Sequence, residues 1–259
     1  MKINKILIAL FVLLSSTVVT YGQVQGISGG KLTVPDAYPV EKGRFEFEPS
    51  ISIFSTSSYF DSGWNKINAA GKSRTSQLDL RVTLGLMDGM ELGSSFSTGM
   101  DEIFLGSKIL LIQGSNVNLS LLAGASFTAG NFTPADSVKA PDSNSYSLGF
   151  VMSSVLSDKS SLDIYFTGSA VSGLAEYDKS FSYGASFGVF LSSRFLAIVE
   201  LNGYTNFGSS VYSSKLSFIP GFTYKFSGNL LMVIGNQVDL IGKNELRGNT
   251  IFTSFTMSF

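Results

Sequence analysis

Apolar residues in this chain alternate with polar ones instead of forming long runs. From residue 77 to 86 every second side chain is leucine or valine, and the positions between them are polar or glycine. This period of two places the apolar side chains on one face of a β-strand. Asp88-Gly89 follows almost at once, a dipeptide typical of a two-residue hairpin turn. The pattern therefore predicts a chain built from β-hairpins.

The composition extends this pattern to the whole chain. Hydrophobic residues make up 44% of the sequence and charged residues only 14%, yet no apolar run after the first residues reaches the roughly 20 residues that a spanning helix needs. Only helices and closed barrels satisfy their backbone hydrogen bonds in lipid. We therefore predict an all-β fold, a transmembrane up-and-down antiparallel β-barrel of about twelve strands over residues 43–259. The alternative is a soluble β-sandwich or lipocalin-like barrel, which buries its apolar face and closes with about 8 strands.

The predicted connections differ in length on the two sides of the barrel. The short ones are predicted at residues 88–89, 113–116, 157–160, 192–194 and 227–229, and the third-to-fourth connection near residues 98–101 is also short. Longer, more polar loops are predicted at residues 56–74, 129–143, 171–180, 205–212 and 241–248. Short turns opposite long loops are typical of transmembrane barrels. The eleventh strand, Leu230 to Leu240, alternates least regularly.

The first residues have the pattern of a secretory signal peptide. Lys2 and Lys5 precede an apolar core from Ile6 to Leu14, and Gly22 is the small residue before the predicted cleavage point. The signal peptide is thus residues 1–22; the alternative is an N-terminal membrane anchor. Residues 23–42 precede the first strand. They form either a periplasmic tail, which is the simpler interpretation, or a plug in the barrel lumen.

The last strand resembles the closing strand of a bacterial outer-membrane β-barrel. Alternate residues from Ile251 onwards are mostly apolar, and the chain stops on Phe259. In such barrels a C-terminal phenylalanine is the assembly signal, so the resemblance implies this role for Phe259 and a location in the bacterial outer membrane. The implied partners are outer-membrane lipids, lipopolysaccharide and the barrel assembly machinery.

Several kinds of chemistry are excluded by missing residue types. The chain has no His and no Cys, which removes Ser-His-Asp triads, thiol catalysis and the usual zinc sites. Gly184 to Gly188 matches the nucleophile-elbow pattern but lies inside a predicted strand without a His partner. We predict no enzyme activity, no cofactor and no metal site. The net charge of −1 gives no reason to expect nucleic acid as a partner.

The non-lipid face of the predicted barrel carries both acidic and basic side chains. The lumen-lining candidates are Glu46, Asp79, Arg81, Glu91, Lys108, Asp163, Glu200, Lys215 and Lys225, and the same face also receives Arg44, Glu48 and Glu102. Charges at membrane depth are costly unless they face water or each other. Two interpretations follow and stay open: a hydrated, weakly cation-leaning lumen, or a salt-bridged interior that passes little.

Three segments suggest a narrower relationship. Residues 40–48, 81–93 and 101–108 resemble the opening strands of the "MetA-pathway of phenol degradation" family of outer-membrane transport proteins. The resemblance implies uptake of small aromatic or apolar compounds. The predicted function is thus a narrow pore for a small-molecule solute. The alternative is a non-transporting structural or adhesion barrel whose extracellular loops bind a partner.

Overall fold

The computed structural model describes residues 24–97, 102–128, 144–172, 179–208 and 212–259. The predicted signal peptide and much of the predicted long loops lie outside these ranges. The described residues form twelve strands. They are β1 (Phe45–Phe60), β2 (Lys66–Met87), β3 (Met90–Ser97), β4 (Glu102–Gln113), β5 (Val117–Thr128), β6 (Asn144–Ser157), β7 (Ser160–Ser172), β8 (Lys179–Phe190), β9 (Phe195–Phe207), β10 (Tyr212–Ser227), β11 (Leu230–Lys243) and β12 (Glu245–Ser258). A membrane-spanning helix is absent from the described part of the chain.

Each strand pairs antiparallel with its neighbours in sequence, and β12 pairs with β1, so the sheet closes into a barrel. Phe259 extends this closing seam beyond β12. Its N–H donates to the Phe45 carbonyl at 2.9 Å, and the Phe45 N–H donates to the Phe259 carbonyl at 3.1 Å. Their ring centroids are 6.2 Å apart. The predicted twelve-stranded, up-and-down barrel is therefore confirmed.

The two faces of the barrel wall differ as the alternation predicts. Outward side chains are apolar and solvent-accessible; Leu148 and Ile251 are each 57% exposed and Phe166 is 51% exposed. Inward side chains are mostly polar, small or charged, and many are buried. An apolar belt on the outside is what a lipid-facing barrel presents, whereas a soluble sandwich or lipocalin-like barrel would bury that face.

Two of the predicted long loops are wrong, because both segments are strands. Residues 56–74 form the distal part of a long β1–β2 hairpin. Residues 241–248 belong to β11 and β12, which meet almost directly at Asn244. Positions 62 to 77 are exposed on both faces. Where both faces of a hairpin meet water, pairing continues without apolar alternation, so the sequence loses the signal of a strand.

The turn of the long hairpin is organised by Asp61. Its carboxylate accepts hydrogen bonds from the backbone N–H groups of Asn65 and Gly63, each at 2.8 Å. These hydrogen bonds, that from Asn65 foremost, hold the pKa of Asp61 below its ordinary range. The hairpin is thus a defined structure that projects beyond the apolar belt.

The eleventh strand, whose alternation was poorest, pairs with both of its neighbours. Leu231 and Val233 lie on the inward face, opposite Thr256 and Ser254, whereas Asn236 lies on the outward face, opposite Ile251. The residue of β11 that is skipped in the pairing with β10 is Leu240, at the far end of the strand. The irregular sequence pattern of β11 therefore comes from apolar side chains on its inward face and a polar one on its outward face.

Residues 24–42 do not extend away from the barrel as a tail. They run inside the lumen against the inward faces of every strand from β2 round to β10. Val34 and Ala37 are fully buried there. We call residues 24–42 the inner segment. The structure therefore does not place this region as a periplasmic tail. The segment stays in the lumen because inward carboxylates accept hydrogen bonds from its backbone N–H groups.

Truncation of the closing seam provides a test of barrel closure. Removing Phe259 deletes two backbone hydrogen bonds between the chain ends, worth about 1–3 kcal/mol together. We expect a smaller folded fraction, measured as loss of heat-modifiable gel mobility. The control is Phe226→Ser, which removes an exposed aromatic ring that makes no contact with β1. Equal folded fractions for the truncated and intact chains would contradict this role of Phe259.

Candidate functional site: the barrel lumen

Glu200 on β9 holds the middle of the inner segment. Its carboxylate accepts hydrogen bonds from three consecutive backbone N–H groups, those of Leu32, Thr33 and Val34, at 3.0, 2.8 and 3.1 Å. The Thr33 hydroxyl donates to the same carboxylate at 2.7 Å. Hydrogen bonds to a charged group are each worth about 1.5–3 kcal/mol. Glu200 therefore holds the segment mainly through its backbone, with one further hydrogen bond from the Thr33 side chain.

Glu91 on β3 holds both ends of the segment in the same way. Its carboxylate accepts from the Ser28 N–H and the Val40 N–H, both at 2.6 Å, and from the Ser28 hydroxyl at 2.7 Å. Lys108 on β4 lies beside it, with 3.7 Å between the charged groups. The Lys108 ammonium also reaches Asp36 at 3.2 Å and the Tyr38 carbonyl at 3.1 Å. Glu91 and Lys108 thus tie together residues twelve positions apart in the segment.

Three further contacts attach the segment to the wall. Lys31 forms a buried ion pair with Asp163 on β7. The Ala37 N–H donates to the Ser153 hydroxyl at 2.8 Å, and the Ala37 carbonyl accepts from the Ser120 hydroxyl at 2.7 Å. A buried backbone without regular structure must find such partners, because an unpaired buried N–H costs about as much as a lost hydrogen bond.

Inward glycines leave room for the backbone of the segment. A methyl group added at Gly93 would collide with the carbonyl oxygen of Gly26, and one added at Gly106 would collide with the carbonyl of Gln25. Gly85 lies equally close to the carbonyl of Glu41. Absence of a Cβ permits a close backbone approach of this kind. The wall is therefore shaped for this segment.

A small apolar cluster lies between the segment and the wall. Its members are Val24, Ile27, Val34 and Ala37 from the segment and Leu122, Val151 and Tyr165 from the wall. This cluster is modest in size beside the polar attachments around it. Most of the inward face that the segment covers is polar.

A strip of the inner wall on β12, β1 and β2 carries partly accessible charges. Glu48 accepts from Arg81 at 2.5 Å and from the Thr256 hydroxyl at 2.5 Å, with 15% and 20% exposure of the two charged side chains. Glu46 accepts from the Ser258 hydroxyl at 3.3 Å. These side chains make the strip the most accessible charged part of the lumen near the chain ends.

The predicted lumen candidates fall into distinct groups. Glu91, Lys108, Asp163 and Glu200 are at most 2% exposed and contact the inner segment. Glu46, Arg81 and Asp79 are partly accessible, and Asp79 contacts Gln77 at 2.6 Å. Lys215 pairs with Asp239 at 3.4 Å away from the segment. Lys225 continues the inward face of β10 but is exposed at the strand end.

Other residues of the lumen were not among the predicted candidates. Ser28 and Lys31 were missed because residues 23–42 show no strand period. Ser120 and Ser153 looked like ordinary inward residues. Arg44, which was placed on the inward face, precedes β1 and pairs with exposed Glu41 at 2.8 Å. The inward glycines of β2, β3 and β4 were the one available sequence signal for a chain lying against the wall.

Structural comparison relates this barrel to known channels. No family model and no curated protein matches the sequence. The COG4313 outer-membrane channel from Pseudomonas putida F1 has a TM-score of 0.70 at 14% identity, over 86% of this chain and 98% of that chain. The NanC porin has a TM-score of 0.55 at 9% identity, over 82% and 98%. The KdgM porin has a TM-score of 0.51 at 11% identity, over 83% and 99%.

The chain is an outer-membrane β-barrel. Its twelve strands close into one sheet with an exposed apolar belt, and it shares this fold with a known outer-membrane channel. At these identities the likeness concerns the fold, so membership of the MetA-pathway family stays a prediction.

The glycine contacts generate a test of where the inner segment lies. Gly93→Val places a side chain where the Gly26 carbonyl sits, so the segment must move from the wall. We expect tryptic cleavage after the buried Lys31 to become about tenfold faster in folded protein, because proteolysis follows the population of the open form. Cleavage after the exposed Lys42 is the internal reference.

Gly168→Val is the matched control, because a Cβ at Gly168 meets nothing within 4 Å. Its cleavage rate after Lys31 should equal that of the unchanged protein. Rapid cleavage after Lys31 in the unchanged folded barrel would contradict the buried placement of the segment.

Proposed function

We propose that this protein is a narrow outer-membrane channel for small solutes, with aromatic or apolar compounds as the substrate class. The observation that carries the proposal is the charged, partly accessible strip of the inner wall at Glu48 and Arg81. Charged side chains at membrane depth suit a surface that meets water. The fold shared with outer-membrane channels and porins supports the same function.

Two aromatic rings support the choice of substrate class. Phe54 lies in phase with inward Ser50 and Ser52 of β1, and Phe252 lies in phase with inward Ser254 of β12, so both belong to the lumen face. The Phe252 ring lies over Gly235, and the Phe54 ring lies over Gly248. Aromatic faces on the inside of a pore offer stacking contacts to flat apolar solutes. The resemblance to the MetA-pathway family points to the same class of compound.

A non-transporting barrel is the second candidate, and one observation favours it. Lys108 is 0% exposed and Glu200 is 1% exposed, so no water-accessible path runs past these two residues in this conformation. A barrel sealed permanently by its own segment would serve as a scaffold whose loops bind a partner. A non-enzymatic role stays a prediction under either candidate, because such distant structures relate the fold and not the chemistry.

Ion selectivity provides the test between these functions. In planar bilayers we expect the refolded protein to conduct, and Arg81→Glu to shift the reversal potential toward greater cation selectivity because it reverses a charge on the accessible strip. Lys72→Glu is the control, because Lys72 is exposed on the long hairpin beyond the apolar belt. If folded barrels show neither conductance nor solute flux, the protein is not a channel. If Arg81→Glu leaves the ion selectivity unchanged, Arg81 does not line the pore.

A further inference from the structure

The inner segment is covalently joined to the barrel at one end only. It enters β1 through Gly43, whose φ of +77° lies in the left-handed region and where an added Cβ would meet nothing within 4 Å. Glycine adopts this backbone conformation without steric cost. The junction lies at the same end of the barrel as Phe259 and the short turns. A segment that left the lumen would therefore move toward the periplasm while staying attached at Gly43.

The covered wall is unlike that of a permanently packed core. Glu91, Lys108, Asp163 and Glu200 all lie beneath the segment. Replacing buried ion pairs by apolar side chains of similar volume often leaves a protein equally or more stable. These four charges have two uses in such a wall: they pair the irregular backbone of the seated segment, and they can meet water when that backbone leaves. A wall that contacts the segment in one state and water in another needs polar groups, because both the segment backbone and water can form hydrogen bonds with them.

The attachments of the segment are also of a kind that water can replace. Glu200 and Glu91 bind backbone N–H groups, and each carboxylate holds several of them at once. Losing one carboxylate therefore releases several contacts together. The shaped glycine wall, in turn, favours the return of the segment to a single seated position.

We propose that residues 24–42 are a gate, and that Glu200 and Glu91 are the latches that hold it closed. The gate opens by withdrawal of the segment toward the periplasm about Gly43. Opening uncovers three carboxylates, those of Glu91, Asp163 and Glu200, against two cations, the ammonium of Lys108 and the guanidinium of Arg81 beside Gly29. The open lumen is therefore cation-selective. This inference rests on the proposed channel function.

Single-channel recording of the full mature chain tests the latch. Glu200→Gln keeps the size of the side chain but removes the charge and replaces one of the two accepting oxygens by an amide NH2 donor. We expect its open probability to rise about tenfold relative to the unchanged protein. Glu245→Gln is the matched control, because Glu245 binds the Ser213 hydroxyl at 2.7 Å on the wall and does not contact the segment. It should leave the open probability unchanged.

A reversible covalent lock tests the gate independently of the latch. A Cβ at Gly124 would lie 2.9 Å from the Val24 Cγ1, so V24C combined with G124C places two sulfurs within bonding reach after a rotamer change. The chain has no other cysteine. Oxidation should abolish long openings, and reduction of the same channel should restore them. Each single variant should be insensitive to both treatments.

The outcomes separate the gate from the channel. If the protein conducts but neither Glu200→Gln nor the oxidised disulfide changes the conductance, the segment is not a gate. The proposed channel function is unaffected by that result. Folded barrels that conduct in no variant, including Glu200→Gln, would overturn the channel function and the gate with it. Heat-modifiable gel mobility of every variant establishes which samples are folded.

Discussion

The structure depends on the absence of water around a membrane-spanning backbone. Every N–H and C=O group in lipid must be paired within the protein, so an antiparallel sheet there has to close on itself. Closure occurs between β1 and β12, and Phe45 and Phe259 complete the seam at the chain ends. Closure in turn forces alternate side chains outward into lipid and inward into a lumen. The apolar belt and the charged interior are two consequences of this one requirement.

The lumen raises the same problem for the inner segment. This stretch has no regular secondary structure, yet it is buried at membrane depth, where unpaired backbone is costly. The solution uses carboxylates of the wall as acceptors, with Glu200 serving three consecutive N–H groups and Glu91 serving both ends. The two partners need each other, because a buried carboxylate without donors is also unstable. Attachment by a few shared acceptors makes release a concerted event.

Much of the barrel could be predicted from sequence because lipid imposes a strict period of two. The stretch around Leu80 and Leu84 and the chain end at Phe259 carried this signal. Prediction failed where this period is lost. The hairpin at residues 56–74 meets water on both faces, and β11 carries apolar Leu231 and Val233 on its inward face. The placement of the inner segment could not be read either, since its contacts join residues such as Ser28 and Glu91 that are distant in sequence.

Carboxylates of the wall hold the inner segment within the lumen. Amide hydrogen exchange of the folded protein in lipid measures this attachment at Leu32, Thr33 and Val34. We expect these N–H groups to exchange far more slowly than those of the exposed turn at residues 61–65, although none of residues 32–34 belongs to a strand. Exchange of residues 32–34 as fast as in that turn, in a barrel whose strands are protected, would contradict it.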